Sequence, residues 1–145
     1  MSPCWQSRNV PFARAFWEPH VILPVPVKRR RHFLLAEGLE NTGDREGAIV
    51  QLEQSARLDP NSALPHGALA ELYGRNGRWD QAAAELRQAI RLSPQSAHFH
   101  YYLAGALLHI PQAKGDAMAE LRQALKLDPD SEGARLRLQQ LGISP

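Results

Sequence analysis

The sequence predicts an all-α fold, an α-solenoid of three helix-turn-helix units followed by a short closing helix. Three observations predict it. The segments AIVQLEQSARLDPNS (48–62), AAAELRQAIRLSPQS (82–96) and AMAELRQALKLDPDS (117–131) superpose on one another, and self-similarity at a fixed period marks a repeat architecture. Apolar residues upstream of each segment recur with the 3.6-residue period of a helix. Glycine, proline and serine fall at matching places in every unit, so the boundary signals agree with the periodicity.

The spacing is regular. Pro60 and Pro94 are 34 residues apart and Pro129 follows 35 later. His32, His66 and His100 repeat at 34, as do Leu35, Leu69 and Leu103, and Ala36, Ala70 and Ala104. The extra residue of the third unit is expected between Ala104 and Ala117, in the connection HIPQAKGD, because a turn between helices absorbs an insertion at little cost.

Taken in order, residues 1–28 read as an extended or disordered tail. Prolines at 3, 11, 19, 24 and 26 argue against a long helix before residue 28. Its one apolar run, VILPVPV, is broken by two prolines and precedes the basic cluster Lys28–Arg31, the reverse of a secretory signal. Trp5, Phe12, Phe16 and Trp17 make it more aromatic than ordinary disorder. The units span 29–62, 63–96 and 97–131. The first helix of each has apolar or small residues at unit positions 4, 7, 8 and 11, forming one stripe. Gly43 and Gly77 suit a left-handed turn residue. The second helix opens on Ala48, Ala82 or Ala117, where helices approach closely, with a leucine four residues on. It ends at Leu-Asp-Pro or Leu-Ser-Pro, since proline disfavours continuation. Ser62, Ser96 and Ser131 then stand ready to N-cap the next helix. A last helix covers 131–141, and 142–145 form a C-terminal tail.

Charge is unevenly distributed. The net +2 combines six basic groups and Glu18 in residues 1–31 with 11 basic and 14 acidic groups beyond them. An argument from basic character to nucleic acid or an anionic surface therefore concerns the cluster Lys28–Arg31 alone. Four charges give at most a salt-sensitive, unspecific contact. The single cysteine, Cys4, excludes an internal disulfide and a cysteine-based zinc knuckle. No apolar run reaches the roughly 20 residues of a bilayer span. The absent signal and the lone thiol suit a cytoplasmic setting.

With these residues assembled, the chain resembles the tetratricopeptide repeat (TPR) family, whose signature is W-x2-L-G-x2-Y, then A-x3-F, then P, on 34 residues. Here H-x2-L-A-x2-L (32–39), H-x2-L-A-x2-Y (66–73) and H-x2-L-A-x2-L (100–107) are each followed by A-x3-L and Pro. Histidine, alanine and leucine replace tryptophan, glycine and phenylalanine while keeping the packing role. The resemblance covers residues 29–141 and implies a right-handed α-solenoid. SEGARLRLQQL (131–141) resembles the helix that caps such arrays, with Arg135, Arg137, Gln139 and Gln140 giving a polar outer face. On this reading the carboxyl end looks complete, whereas the first repeat lacks a preceding unit. Its flank is expected to be covered by the aromatic tail, by a partner, or by more of a longer parent protein.

On a helix, unit positions 2, 5, 6, 9, 12 and 13 fall within about 120° of arc. The resemblance assigns this set to a concave groove and positions 4, 7, 8 and 11 to packing. His32, His66 and His100 then belong to packing, and stacked helices roughly 8–10 Å apart do not bring three such rings onto one ion. His98 and His109 lie in the groove set, about 16 Å apart along a helix, too far to share a metal. The groove candidates are Phe33 and Glu37 in the first repeat, Glu71 and Arg75 in the second, and His98, Tyr101, Tyr102, Leu108 and His109 in the third. Glu71 and Arg75, four residues apart, read as an intrahelical ion pair. For the tyrosines, contact with a peptide and packing against the capping helix are both open. In chaperone-linked members of the family a Lys/Arg/Asn set grips a terminal carboxylate. Those positions here hold Phe33, Glu37, Ala68, His98 and Tyr102, and Glu37 would repel one. Neither a phosphate-binding glycine loop nor a nucleophile elbow nor a metal motif occurs. The expectation is a non-catalytic scaffold for a protein or peptide partner, without cofactor or metal. A second possibility is that the basic tail lies in the chain's own acidic groove.

Overall fold

In the computed structural model, which describes residues 25–142, seven helices follow one another. They are α1 (Val25–Asn41), α2 (Arg45–Leu58), α3 (Ala63–Arg75), α4 (Trp79–Leu92), α5 (Ala97–Leu107), α6 (Lys114–Leu127) and α7 (Glu132–Gln140). Helices pair as α1 with α2, α3 with α4 and α5 with α6. The pairs join through α2–α3 and α4–α5, and α7 lies on α6. The fold is an all-α stack of three two-helix repeats with a terminal helix. The readings made above for residues 1–24, including the tail in the groove, lie outside the described residues.

Helix boundaries follow local chemistry, with departures at the start of α1 and at the serine caps. α1 opens at Val25, ahead of residue 29, where the sequence analysis starts the first repeat. Pro26 falls in the first turn, where an amide has no intrahelical partner to lose. The basic run is consequently helical: Arg29 pairs with Asp59, while Arg30 and Arg31 are exposed. Ser62, Ser96 and Ser131 stand at N-cap positions, but their side chains make no capping bond. Their role is backbone only, the carbonyls of Ser96 and Ser131 accepting the first intrahelical bonds from His100 N (3.4 Å) and Arg135 N (3.1 Å). A side-chain cap occurs at Asp44, whose Oδ1 accepts from Gly47 N at 2.9 Å.

The turns within the first two repeats are left-handed at Gly43 (φ 86°) and Gly77 (φ 72°). Asp44 N donates to Leu39 O (2.9 Å) and Arg78 N to Tyr73 O (2.8 Å), the closing bonds of Schellman motifs. The third turn differs. α5 stops at Leu107 and α6 begins at Lys114, so the connection takes up the inserted residue. Here Gln112, with φ 67°, holds a conformation that glycine adopts more readily.

Packing repeats with the register. Ala48, Ala82 and Ala117 are buried, as are Leu52, Leu86 and Leu121. Ser55 occupies the buried position held by Ala89 and Ala124, and its hydroxyl donates to the Arg29 carbonyl at 3.3 Å, so no polar atom is stranded. The register breaks at one edge. Leu69 and Leu103 are each 2% exposed, whereas Leu35 is 47% exposed, because no helix pair precedes α1 among the described residues.

The repeated histidines are packing residues, each tied to its own second helix. His32 Nδ1 lies 2.7 Å from Gln51 Oε1, His66 Nδ1 2.8 Å from Glu85 Oε2, and His100 Nδ1 2.6 Å from Glu120 Oε2. His100 is buried, and its Nε2 also lies 3.2 Å from the Pro94 carbonyl oxygen. Each ring therefore bridges the two helices of its repeat through a polar bond inside an otherwise apolar contact. The partners were legible in the register: Gln51, Glu85 and Glu120 stand 19, 19 and 20 residues after their histidines.

Candidate functional site

The first helices, α1, α3 and α5, line one side of the stack with α7 at its end. Glycines there let aromatic rings pack close: a Cβ on Gly67 would lie 2.8 Å from the Phe99 ring, and one on Gly74 would lie 3.1 Å from the Trp79 ring. Three cavities follow along it. The first, about 530 Å³, lies between α1 and α3 and is bordered by Arg30, Phe33 and Leu64. The second, about 600 Å³, shares Phe33 and Leu64 with it and extends to His98 and Tyr102. The third, about 290 Å³, shares Gly67, Glu71 and Tyr102 with the second and ends at Trp79, His109 and Arg137. Because neighbouring cavities share walls, they form one furrow across the repeats.

The predicted site residues are placed as follows. Phe33 is half-buried between the first two cavities. Glu37 is exposed and makes no ion pair among the described residues. Arg75 Nη2 is 2.7 Å from Glu71 Oε1, the predicted intrahelical pair, and Arg75 also pairs with Glu40 of the preceding repeat. The ring of His98 lies 4.4 Å from that of Tyr102, which is 45% exposed and borders two cavities. Tyr101 is half-buried, with its hydroxyl against Gly133 of α7. Tyr101 thus packs on the closing helix and also borders the third cavity, while Tyr102 faces the furrow. His109 stacks on Trp79, with ring centroids 3.9 Å apart and planes 10° apart. Leu108 packs partly buried against the core and lines none of the three cavities. It sits where α5 has already ended, so the helical register that put it in the groove no longer applies.

The sequence profile of the tetratricopeptide repeat family matches residues 68–132, which contain the last turns of α3 through the first residue of α7. Residues 68–132 are tetratricopeptide repeats. Solved TPR structures superpose on nearly the whole described array. The second TPR domain of human RPAP3, in complex with the HSP70 peptide SGPTIEEVD, matches with a TM-score of 0.76 at 18% identity, over 83% of this chain and 100% of that one. The first TPR of Spaghetti (RPAP3), bound to the HSP90 peptide SRMEEVD, matches with a TM-score of 0.74 at 17% identity, over 79% and 90% of the two chains. A Thermobaculum terrenum O-GlcNAc transferase matches with a TM-score of 0.68 at 24% identity; 80% of this chain aligns with 22% of that one. At these identities the likeness is one of fold. No curated protein matches the chain by sequence.

Two residues of the TPR groove escaped the sequence reading. Trp79 opens α4, a second helix, yet its ring closes one wall of the third cavity. Arg137, read as part of a polar outer face, turns back over α5. Its Cζ lies 4.8 Å from the Tyr101 ring centroid, and its Nη1 lies 2.6 Å from where a Cβ of Gly105 would be. Carrying the register through the insertion would have found it, since Leu34, Ala68, Tyr102 and Arg137 share unit position 6. Among the described residues, no group of three His, Cys, Asp or Glu side chains could hold a metal, and no helix is long and apolar enough to cross a membrane.

Proposed function

We propose that this TPR array is a non-catalytic scaffold that holds an extended segment of a partner protein in its concave furrow. The observation that carries the reading is the continuity of the three cavities from Arg30 to Arg137. TPR stacks use such extended concave surfaces for binding, and cavities of these sizes have room for a partner's side chains. Leu64, 68% exposed, and Tyr102 offer apolar contact at its centre, and the tyrosine keeps a polar tip. The peptides in the RPAP3 complexes do not carry over directly. Phe33, Glu37, Ala68, His98 and Tyr102 stand where a terminal-carboxylate grip would need cationic or amide side chains.

Selection of displayed random heptapeptides on the immobilised chain tests this. A recurring sequence is expected, and Leu64→Ser with Tyr102→Ala should weaken its binding about tenfold or more. Far-UV circular dichroism and the melting temperature should stay unchanged, because both side chains are exposed. Tyr101 is left intact, since it supports α7. Failure to select any sequence, or full binding by the double variant, refutes the reading.

A further inference from the structure

The end of the furrow beside α7 holds Arg137 in an unusual setting. Arg137 is half-buried, seated over Gly105 and held against the Tyr101 ring. No acid among the described residues pairs with it. The other arginines near the furrow differ. Arg75 already holds Glu71 and Glu40, Arg29 holds Asp59, and Arg30 is exposed with no aromatic seat among the described residues. Glu71, the carboxylate bordering the same cavity, is answered by Arg75, and with Glu40 that group of three has one negative charge in excess. Glu37 adds another on α1. The 290 Å³ cavity beneath Arg137 is floored by Ala70, Ala82 and Ala106 and walled by Trp79, Tyr102 and His109. It is at the small end of binding pockets, the size for one side chain.

We infer that this end of the furrow is a subsite for an acidic peptide: Arg137 pairs with a carboxylate of the bound segment, and the cavity beside it takes an adjacent apolar or aromatic side chain. The inference rests on the proposed use of the furrow for peptides. A guanidinium fixed against a ring spends little further rotamer freedom on binding, and its fork suits a carboxylate's two oxygens. The excess acid around Glu71 repels a carboxylate from that wall of the cavity, which leaves Arg137 as its seat there.

The test uses the heptapeptide selection on the intact chain, repeated with Arg137→Gln and Arg137→Lys. The wild type should select Asp or Glu beside Leu, Phe, Tyr or Trp. Arg137→Gln should weaken that peptide about tenfold, and Arg137→Lys by less, because the charge is kept. Changing the peptide's acid to glutamine should cost the wild type the same factor and the Arg137→Gln variant nothing further, a coupling that loss of α7 packing would not produce. If amidating the peptide's C-terminus abolishes the coupling, the carboxylate is the chain end; if the coupling persists, it is a side chain, and both agree with the subsite. A selected sequence without an acid, or an acidic one bound equally by Arg137→Gln, overturns the inference while leaving the furrow as the binding site. Selection of no sequence refutes peptide binding itself.

Discussion

Replacing Leu35, Leu69 and Leu103 one at a time by alanine makes the same chemical change at one register position of three repeats. The structure assigns it unequal costs. Leu69 and Leu103, each 2% exposed, pack between repeats, so truncation removes the transfer energy of three carbons and leaves an enclosed void. Enclosed Leu→Ala changes cost about 2–5 kcal/mol. Leu35 is 47% exposed, so roughly half its transfer energy is at stake and the gap opens to water. About 1 kcal/mol is the expected loss. At about 3 °C per kcal/mol for a chain of this size, Leu35→Ala should melt close to the wild type. The other two should melt about 6–15 °C lower. Urea unfolding of the full chain followed by far-UV circular dichroism measures the same ordering as shifts in midpoint. Equal losses at all three positions would refute the open edge, because Leu35 would then be covered in solution. A small loss at Leu103 would refute the packing between repeats.

Two further predictions concern the third turn and a buried phenol. Gln112→Gly should raise stability by about 0.5 kcal/mol, since relief of a left-handed residue slightly exceeds glycine's entropy cost; a lower melting temperature contradicts the φ of this turn. Tyr73 is buried, and its pKa is raised above the ordinary 10.0 by desolvation first and then by Glu53 and Glu85. The folded state thus keeps the proton longer than the unfolded chain. This contribution is fully present below pH 10.0 and is lost as pH climbs through the higher folded value. The alkaline loss of stability should be shallower in Tyr73→Phe than in the wild type, and superimposable melting curves across that range would sink the assignment.

Much of the fold was legible because its signals are local. Gly43 and Gly77 announce left-handed turns within a few residues, and Pro60, Pro94 and Pro129 stop the helices just before them. The insertion after Ala104 fell in a turn, as loop entropy dictates. Features that depend on what a residue meets were harder to read. Pro26 looked like a helix breaker until it fell in a first turn. Leu35 carries the same stripe as Leu69 and Leu103 and differs in having no helix pair before it among the described residues. Tyr101 and Tyr102 are adjacent in sequence, and that Tyr101 alone packs on α7 depends on where that helix lies.

By itself the sequence determined the helices, their pairing and the phase in which repeats stack, because backbone preference and the 3.6-residue stripe act over one or two turns of chain. Only the tertiary structure decided what the furrow is made of. Trp79 enters it from a second helix, and Arg137 reaches it from a helix whose pattern read as solvent-facing. Long side chains cross the gaps between helices, so their chemistry is fixed by neighbours distant in sequence.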